Sequence, residues 1–535
     1  MKILFVARHV TYFRNFDSVL ALLASRGHDI HLAVERDETQ GLGGVALIDR
    51  LTADHPSVTF GEAPGRERDE WARLSSKIRL AFDYVRYLDP LYDGTPRLRS
   101  RAGERAPAFA VTFGASRWAR RATARWTLRR ALRAADAALP PSARIEAFLR
   151  EQRPDAMLIT PLVGVVGSPQ PDYVRAARAL GIPTALAVWS WDHLSSKALI
   201  REAPDRVLVW NDIQRGEAKR FHGVPPSRVV VTGAQCFDQW FDRRPSRDRA
   251  AFCAAMGLPA DRPLVMYVGS ALFRGSPPEL DFIRRWIARL RASADPSVSS
   301  AAILVRPHPQ RMDEWRHVDV RTLKDVAVRS ANPVTEDARA DYFDALFYSS
   351  AVAGLNTSAF LEAGIVGRPV LAIVPAEYHD NQEGTLHFRY LTDVSGGLVR
   401  VSRSLDEHAV QLSTVLASGA DVSAGRQFVA TFLRPHGLDQ PATPRFADAV
   451  ERMEGLVVSR RRRASSPVGR LALKAMVTIG ESPKHRAWMF DEEERNYEEW
   501  RRRKGEIRSR NRKAGLTPEQ QAEAEREMRA HRAES

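Results

Sequence analysis

The sequence predicts an α/β protein of two doubly wound lobes, each a parallel sheet covered by helices on both faces, followed by a charged C-terminal helical or disordered tail. Three observations lead there. At 535 residues and 59.9 kDa the chain exceeds the size at which one hydrophobic core stops growing. Short, near-continuous apolar runs recur along it, the pattern of strands buried on both faces. Between them lie segments with apolar residues at helical spacing, several closed by glycine. With 44% hydrophobic and 27% charged residues, the composition suits a packed globular protein and excludes global disorder.

The first lobe, residues 1–243, opens with the apolar run KILFVA at 2–7. A helix follows over 15–25, with Phe16, Val19, Leu20 and Leu23 on one face and Gly27 as its stop, and then a strand over 28–34. Such a strand–helix–strand unit makes a right-handed crossover between parallel strands. The alternation resumes with a strand at 155–160, a helix at 172–180 stopped by Gly181, and strands at 184–191, 206–210 and 228–233. Residues 60–105 are charged and aromatic without a sheet pattern, so about 60–140 reads as an arginine-rich helical insertion, with its clearest helix at 116–138. Residues 243–249 read as the linker. The second lobe, 244–440, has strands at 263–270 and 301–309, a helix at 282–290, and continued alternation to about 375. Residues 441–535 differ: a helix at 445–459, a basic run at 460–463, a short apolar stretch at 471–479, and a Glu/Arg-dominated end from 491 with few apolar anchors.

Charge is uneven within the net +15: residues 97–153 hold 14 Arg or Lys against 4 Asp or Glu, and residues 460–535 hold 20 against 13. Arg117, Arg121, Arg125, Arg129 and Arg133 recur every fourth residue, where like charges oppose each other by a few tenths of a kcal/mol per pair. The stripe is better tolerated facing something anionic, a membrane surface or a phosphorylated acceptor. Nucleic acid is not an expected partner, because no reader module is present and the stripe reads as lacking interleaved aromatic platforms. The two cysteines, Cys236 and Cys253, form no metal-binding pair and suit a reduced compartment. The N-terminus reads as a buried strand rather than a targeting segment, and no apolar run is long enough to span a membrane.

Candidate site residues gather at the ends of these strands. AAILVRPHP closes with Arg306, Pro307, His308 and Pro309, which places a guanidinium and an imidazole at the ligand edge of a parallel sheet. The flanking prolines restrict the backbone around His308. Arg306 can pair with phosphate and His308 can donate or take a proton; the structural alternative is a strand cap. Gly269 and Ser270 end the preceding strand in a small-residue turn. Asn356, Thr357 and Ser358 precede a helix whose free N–H groups can bind phosphate, and Glu362, one turn deeper, can accept from two sugar hydroxyls. Helix capping and a surface salt bridge are the alternatives there. In the first lobe Asp192, His193 and Lys197 follow a strand beside Trp189 and Trp191 and are expected at the cleft, as proton acceptor or as substrate-orienting groups. His9, in a loop with Thr11, Arg14 and Asn15, can activate an acceptor hydroxyl. The polar stretch 377–388, with His379 and Gln382, is expected to line the same cleft.

The sequence contains no phosphate-cradling Gly-Lys-Ser/Thr loop, no dinucleotide glycine pattern, no Gly-x-Ser-x-Gly elbow and no recognised metal spacing, so no metal is expected. The strand end at 306–309, VTGAQCFDQWF at 231–241 and NTSAFLEAGIVGRPVL at 356–371 resemble the GT-B superfamily of nucleotide-sugar transferases. The branch they resemble includes CDP-glycerol glycerophosphotransferases, capsule-type glycosyltransferases and non-hydrolysing UDP-N-acetylglucosamine 2-epimerases. The opening, with His9, Phe16 and the turn Arg26-Gly27-His28, also resembles the acceptor lobe of lipid-linked sugar transferases of the MurG type. The likeness spans residues 1–440.

This resemblance implies two Rossmann-like lobes with parallel sheets facing across a cleft, and a nucleotide-diphosphate sugar as co-substrate with no other cofactor. Arg306, Thr357 and Ser358 would hold its phosphates, Glu362 its ribose, and His308 the leaving group, with His9 as the acceptor-side base. A sugar, lipid-linked or polymer acceptor of the cell envelope, and a cytoplasmic location peripheral to the inner membrane face, follow from the same likeness. Two features depart from it: the long arginine-rich region 60–140, and Gly233-Ala234-Gln235-Cys236-Phe237-Asp238 where the glycerophosphotransferases have Gly-x-Pro-Arg-x-Asp. A sugar donor is therefore preferred to CDP-glycerol. The competing readings are a 2-epimerase and a non-catalytic membrane-surface scaffold.

Overall fold

A computed structural model describes the chain except residues 36–43, 67–68, 164–167, 274, 317, 320–321, 331–332, 334, 419–420, 459–466, 483 and 491–535. The first sheet holds β1 (Lys2–Ala7), β2 (Asp29–Val34), β3 (Val58–Glu62), β4 (Ala156–Thr160), β5 (Thr184–Ala187), β6 (Arg206–Val209) and β7 (Val229–Val231), in the order β3-β2-β1-β4-β5-β6-β7. The second holds β8 (Leu264–Val268), β9 (Ala302–Arg306), β10 (Val326–Val328), β11 (Ala351–Gly354), β12 (Val370–Ile373) and β13 (Val399–Ser402), in the order β10-β9-β8-β11-β12-β13. Every pairing is parallel. In each sheet the order reverses beside its first strand, between β1 and β4 and between β8 and β11. Doubly wound sheets bind ligands in the crevice outside the carboxyl ends of their strands at such a reversal. The molecule thus has two Rossmann-like lobes facing a cleft, the GT-B arrangement.

The apolar runs follow from burial on both faces. In β1, Ile3, Phe5 and Ala7 enter one core and Leu4 and Val6 the other; in β8, Leu264, Met266 and Val268 part from Val265 and Tyr267 in the same way. The edge strands β3 and β13 escape this rule. Each pairs on one side and mixes buried with partly and fully exposed residues, so neither 58–62 nor 399–402 shows a continuous run. The strand expected over 184–191 stops at Ala187, and the helix expected over 445–459 spans Ala442–Glu451. The helix expected over 116–138 breaks at Arg121, leaving a 3₁₀ turn, Arg117–Arg120, before the helix Ala122–Ala138. Arg125 donates to the carbonyls of Ala119 and Arg120 at 2.8 and 2.9 Å and satisfies the end of that turn. Trp118 and Trp126 are exposed within the arginine stripe, a correction to its reading as free of aromatic platforms. The apolar stretch 471–479 lies inside the helix Pro467–Glu481, while the basic run 460–463 and the end from 491 lie outside the described residues.

The insertion is fastened to the first lobe by buried ion pairs. Arg79 and Arg66 reach Asp172 of the lobe at 2.8 and 3.0 Å, and Arg79 also pairs with Asp136 inside the insertion at 3.0 Å. After the second lobe the chain crosses back. Asp238 accepts from Arg434 and from the Ala442 and Thr443 amides, at 3.0, 3.1 and 2.6 Å, and the helix Ala442–Glu451 docks on Asp17–Ser25 with Arg26 bridging Asp448 and Glu451. Among the described residues no helix is long and apolar enough to cross a membrane.

Candidate active site

Three loops of the second lobe are knit together at the carboxyl ends of its central strands. The Gly269 amide donates to the Arg306 carbonyl at 2.8 Å, and the Asn356 amide donates to the Ser270 hydroxyl at 3.2 Å. Backbone approaches closely here: a Cβ on Gly269 would lie 2.5 Å from the His308 nitrogen, so only glycine fits. The 306–309 turn, the 269–270 turn and the start of the helix Ala359–Ile365 therefore form one surface.

On this surface His308 accepts from the Gln310 amide through Nδ1 at 3.3 Å. Burial, with Arg311 and Arg14 nearby, pushes its pKa down to about 4, so the imidazole is neutral at pH 7. With Nδ1 accepting, the proton resides on Nε2, and His308 offers a hydrogen-bond donor. Glu362 accepts from the Tyr342 hydroxyl at 2.7 Å, and burial pushes its pKa up to about 7.

The first lobe answers with Arg14, in the 3₁₀ turn Val10–Phe16 that follows β1. It forms no hydrogen bond or ion pair among the described residues and its side chain is exposed. Protein nonetheless surrounds the guanidinium closely enough to lower its pKa by desolvation, with Glu362 opposing that shift. An accessible but enclosed unpaired cation at the mouth of two crevices is an anion-attracting arrangement. Cys236 joins the cluster, its thiol pushed up by burial and then by Asp238 and Glu362. His9 bonds Thr11 through Nδ1 at 2.5 Å and packs at a tilt on Tyr12, ring centroids 4.4 Å apart, and Tyr12 meets Trp189 edge-on at 5.2 Å.

Several expected ligands have other duties. Arg306 is 6% exposed, pairs with Asp341 at 3.1 Å and lies 4.9 Å over the Tyr342 ring; its charge is spent inside the lobe, and Arg14 is the cation that faces the cleft. Asp192 is not poised to take a proton. Burial pushes its carboxyl up, but Lys197 at 2.9 Å, His387 and the Ser190 hydroxyl outweigh that and hold it well below the usual range. His193 is fully buried, bonded to the Pro161 carbonyl at 2.7 Å and the Trp189 amide at 3.3 Å, so both ring nitrogens serve the backbone. Gln382 donates to the Leu355 and Ile373 carbonyls at 2.9 and 2.6 Å and braces the floor of the β11 crevice. Ser270 is buried, its amide bonded to Glu279 at 2.9 Å.

Asn356 donates to the Asn381 carbonyl at 2.6 Å, Thr357 accepts from the Ala359 amide at 3.4 Å, and Ser358 stays exposed without a capping bond. His379 stands apart, 3.6 Å from Glu383, around an open depression of about 660 Å³ lined also by Glu377, Asp380 and Arg403. A hollow of about 580 Å³ lies at the amino ends of β6 and β7, beside Asp205, Arg206 and Arg228, remote from the crevices. Among the described residues no group of three or more His, Cys, Asp or Glu is placed to hold a metal ion.

Sequence reasoning placed Arg14 only as a neighbour of His9. The available signal was an arginine in the first turn after β1, the position that borders a reversal of strand order. Nothing local in the sequence marks Cys236 as its companion or Tyr342 as the partner of Glu362.

No family model and no curated protein matches the sequence. Among solved structures, a glycosyltransferase from Rickettsia africae ESF-5 is 10% identical, with 85% of this chain and 99% of that one covered and a TM-score of 0.48. Alr3699/HepE from Anabaena in complex with UDP is 12% identical, with coverages of 84% and 100% and a TM-score of 0.46. The UDP-GlcNAc 2-epimerase from Neisseria meningitidis bound to UDP-GlcNAc is 9% identical, with coverages of 84% and 100% and a TM-score of 0.46. What defines the fold is the strand order of the two sheets and the cleft they share.

Proposed function

We propose that the chain transfers a sugar from a nucleoside-diphosphate donor to an acceptor of the cell-envelope or polysaccharide kind, without a catalytic metal. One observation carries the reading. An unpaired guanidinium of the first lobe, Arg14, acts on Glu362 and His308 of the second, where the carboxyl ends of both sheets converge. The donor pyrophosphate lies against this cation, beside the backbone amides of Thr357 and Ser358. As the glycosidic bond breaks, negative charge grows on the distal phosphate and is stabilised by Arg14 and the Nε2–H of His308. Glu362, held by Tyr342, accepts from the ribose hydroxyls. His9, tethered through Nδ1 to Thr11, takes the acceptor proton on Nε2.

Calorimetry with UDP, GDP, CDP and dTDP, followed by a donor-hydrolysis screen, tests the proposal. Arg14→Ala removes a charge-assisted contact and weakens diphosphate binding about 10- to 100-fold. Failure of every diphosphate to bind, or unchanged binding by Arg14→Ala, rejects the reading. Conversion of UDP-N-acetylglucosamine to its 2-epimer would assign epimerisation instead.

A further inference from the structure

Two sequence features that the cleft does not use, the arginine-rich insertion and the C-terminal apolar stretch, come together in space. The helix Pro467–Glu481 packs on Ala122–Ala138, and the short helix Arg486–Met489 packs on Ala108–Ala115, with Phe109 and Trp488 edge to face at 5.7 Å. Leu473, Met489 and Phe490 share a core with Trp71, Ile78 and Phe82 of the insertion.

The outer surface of this subdomain is apolar where a water-facing surface would be polar. The helix Pro467–Glu481 buries Leu473 and Gly480 but leaves Val468 77%, Leu471 70% and Ile479 56% exposed. These three, with the exposed Ala472 and Ala475, recur at helical spacing and form a second apolar stripe that no other described residue covers. Trp118, Trp126, Trp488 and Val111 are exposed on the neighbouring elements of the same subdomain. Seven of the ten large apolar side chains exposed among the described residues lie in these elements, so the patch is a concentration, not a scatter.

Its charge is predominantly positive, with Glu481 the exposed acid on the helix Pro467–Glu481. Residues 105–135 contain eight arginines (105, 117, 120, 121, 125, 129, 130 and 133) and no Asp or Glu. Guanidinium groups lie over the exposed indoles, Arg121 4.6 Å from Trp118 and Arg130 5.4 Å from Trp126. Arg470 and Lys474 flank the aliphatic stripe, both exposed.

The geometry points to this face as a docking surface for an anionic lipid bilayer. Aliphatic side chains enter the acyl boundary, indoles sit at headgroup level, and arginines pair with lipid phosphates. Charge complementarity selects a negative partner. The aliphatic stripe then favours lipid over nucleic acid, because bases stack on indoles but Val468, Leu471 and Ile479 offer them no flat face. The inference stands without the transfer chemistry, since docking is read with neither donor nor acceptor present.

Cosedimentation of the full chain with vesicles of phosphatidylglycerol and phosphatidylcholine, compared with phosphatidylcholine alone, tests it. Binding to the anionic vesicles alone, weakened by salt, with a blue shift of tryptophan emission, is the expected result. The variant Trp126→Ser/Leu471→Ser/Ile479→Ser loses about tenfold or more in partition while keeping its circular dichroism. Arg117→Glu/Arg121→Glu/Arg130→Glu, which leaves the apolar residues in place, also reduces binding. No association with anionic vesicles at low salt overturns the inference. So does partition indifferent to the apolar triple variant, or single-stranded oligonucleotide binding that the tryptophan change abolishes and that displaces the vesicles. Diphosphate binding measured on the same protein separates failure of this surface from failure of the cleft.

Discussion

Glu362 is asked to do two things that oppose each other: sit in a partly desolvated cleft wall and present a carboxylate to a ligand. Its pKa, raised from 4.5 to about 7 by burial, records the cost. Between these values the folded chain keeps a proton that the unfolded chain has lost, so stability declines as pH rises through the window, and the penalty is complete above pH 7. Glu362→Gln keeps an acceptor for Tyr342 and removes the penalty. It should stabilise the protein at pH 8 by on the order of 2 kcal/mol and leave stability at pH 4.5 nearly unchanged, as read by thermal melts. Equal shifts at both pH values would mean that the side chain is not desolvated. His308 is set by the same burial in the opposite sense, neutral from about pH 4 upward. Its donor role therefore predicts no loss of diphosphate affinity between pH 5 and 6.5 on its account, whereas a role as imidazolium would show a steep fall there, both testable by calorimetry.

At the scale of elements, the site depends on how tightly β8 and β9 end against each other. Gly269→Ala places a methyl 2.5 Å from the His308 nitrogen and 3.1 Å from the Pro307 carbonyl carbon, and neither backbone atom can rotate away. The expected cost is about 1–3 kcal/mol, and the displaced turn loses most diphosphate affinity, measurable as a lowered melting temperature with weakened binding. The insertion is held by a different device. Burial pushes the Asp172 carboxyl up, yet Arg79 and Arg66 outweigh it and hold the group well below its usual value. That stabilisation is present above the ordinary carboxylate pKa near 3.8 and is lost as pH falls below it. Asp172→Asn removes the anion that two buried guanidinium groups share, leaving Arg79 with Asp136 alone and Arg66 with Asp69 alone, and should cost about 3 kcal/mol, with new protease cleavage within residues 60–140 as the local readout.

Over the whole molecule, buried titrating groups set the pH of greatest stability. His193, His308, His387 and His408 are each depressed to about 4, chiefly by burial, so each destabilises the fold below its unfolded value near 6.5. Glu279 and Glu362 are raised to about 7, and Glu217, buried against the Tyr390 hydroxyl of the other lobe at 2.5 Å, to about 8. Between pH 4.5 and 6.5 these four histidines, with His222, which burial and then Arg86 hold well below its ordinary value, gain stability with rising pH against three glutamates that lose it; above 6.5 only the glutamates act. The melting temperature should peak near pH 6.5 and the stability fall by on the order of 3 kcal/mol by pH 8. A profile rising steadily to pH 9 would contradict this balance.

The apolar runs of β1, β4, β8 and β9 declare themselves in one dimension, because strands buried on both faces have no polar residues to interrupt them; the two lobes and the strand ends that carry His9, His308 and Glu362 were legible for that reason. The edge strands β3 and β13, wet on one side, were not. Polar partnerships were hidden altogether. Arg306 meets Asp341 across 35 residues and His193 meets the Pro161 carbonyl across 32, and both are consumed by the fold, while Arg14, with no hydrogen-bond or ion-pair partner among the described residues, is left facing the cleft. Hydrophobic periodicity depends only on which side chains leave water. Which charges remain unpaired depends on which loops meet, and only the tertiary structure decides that.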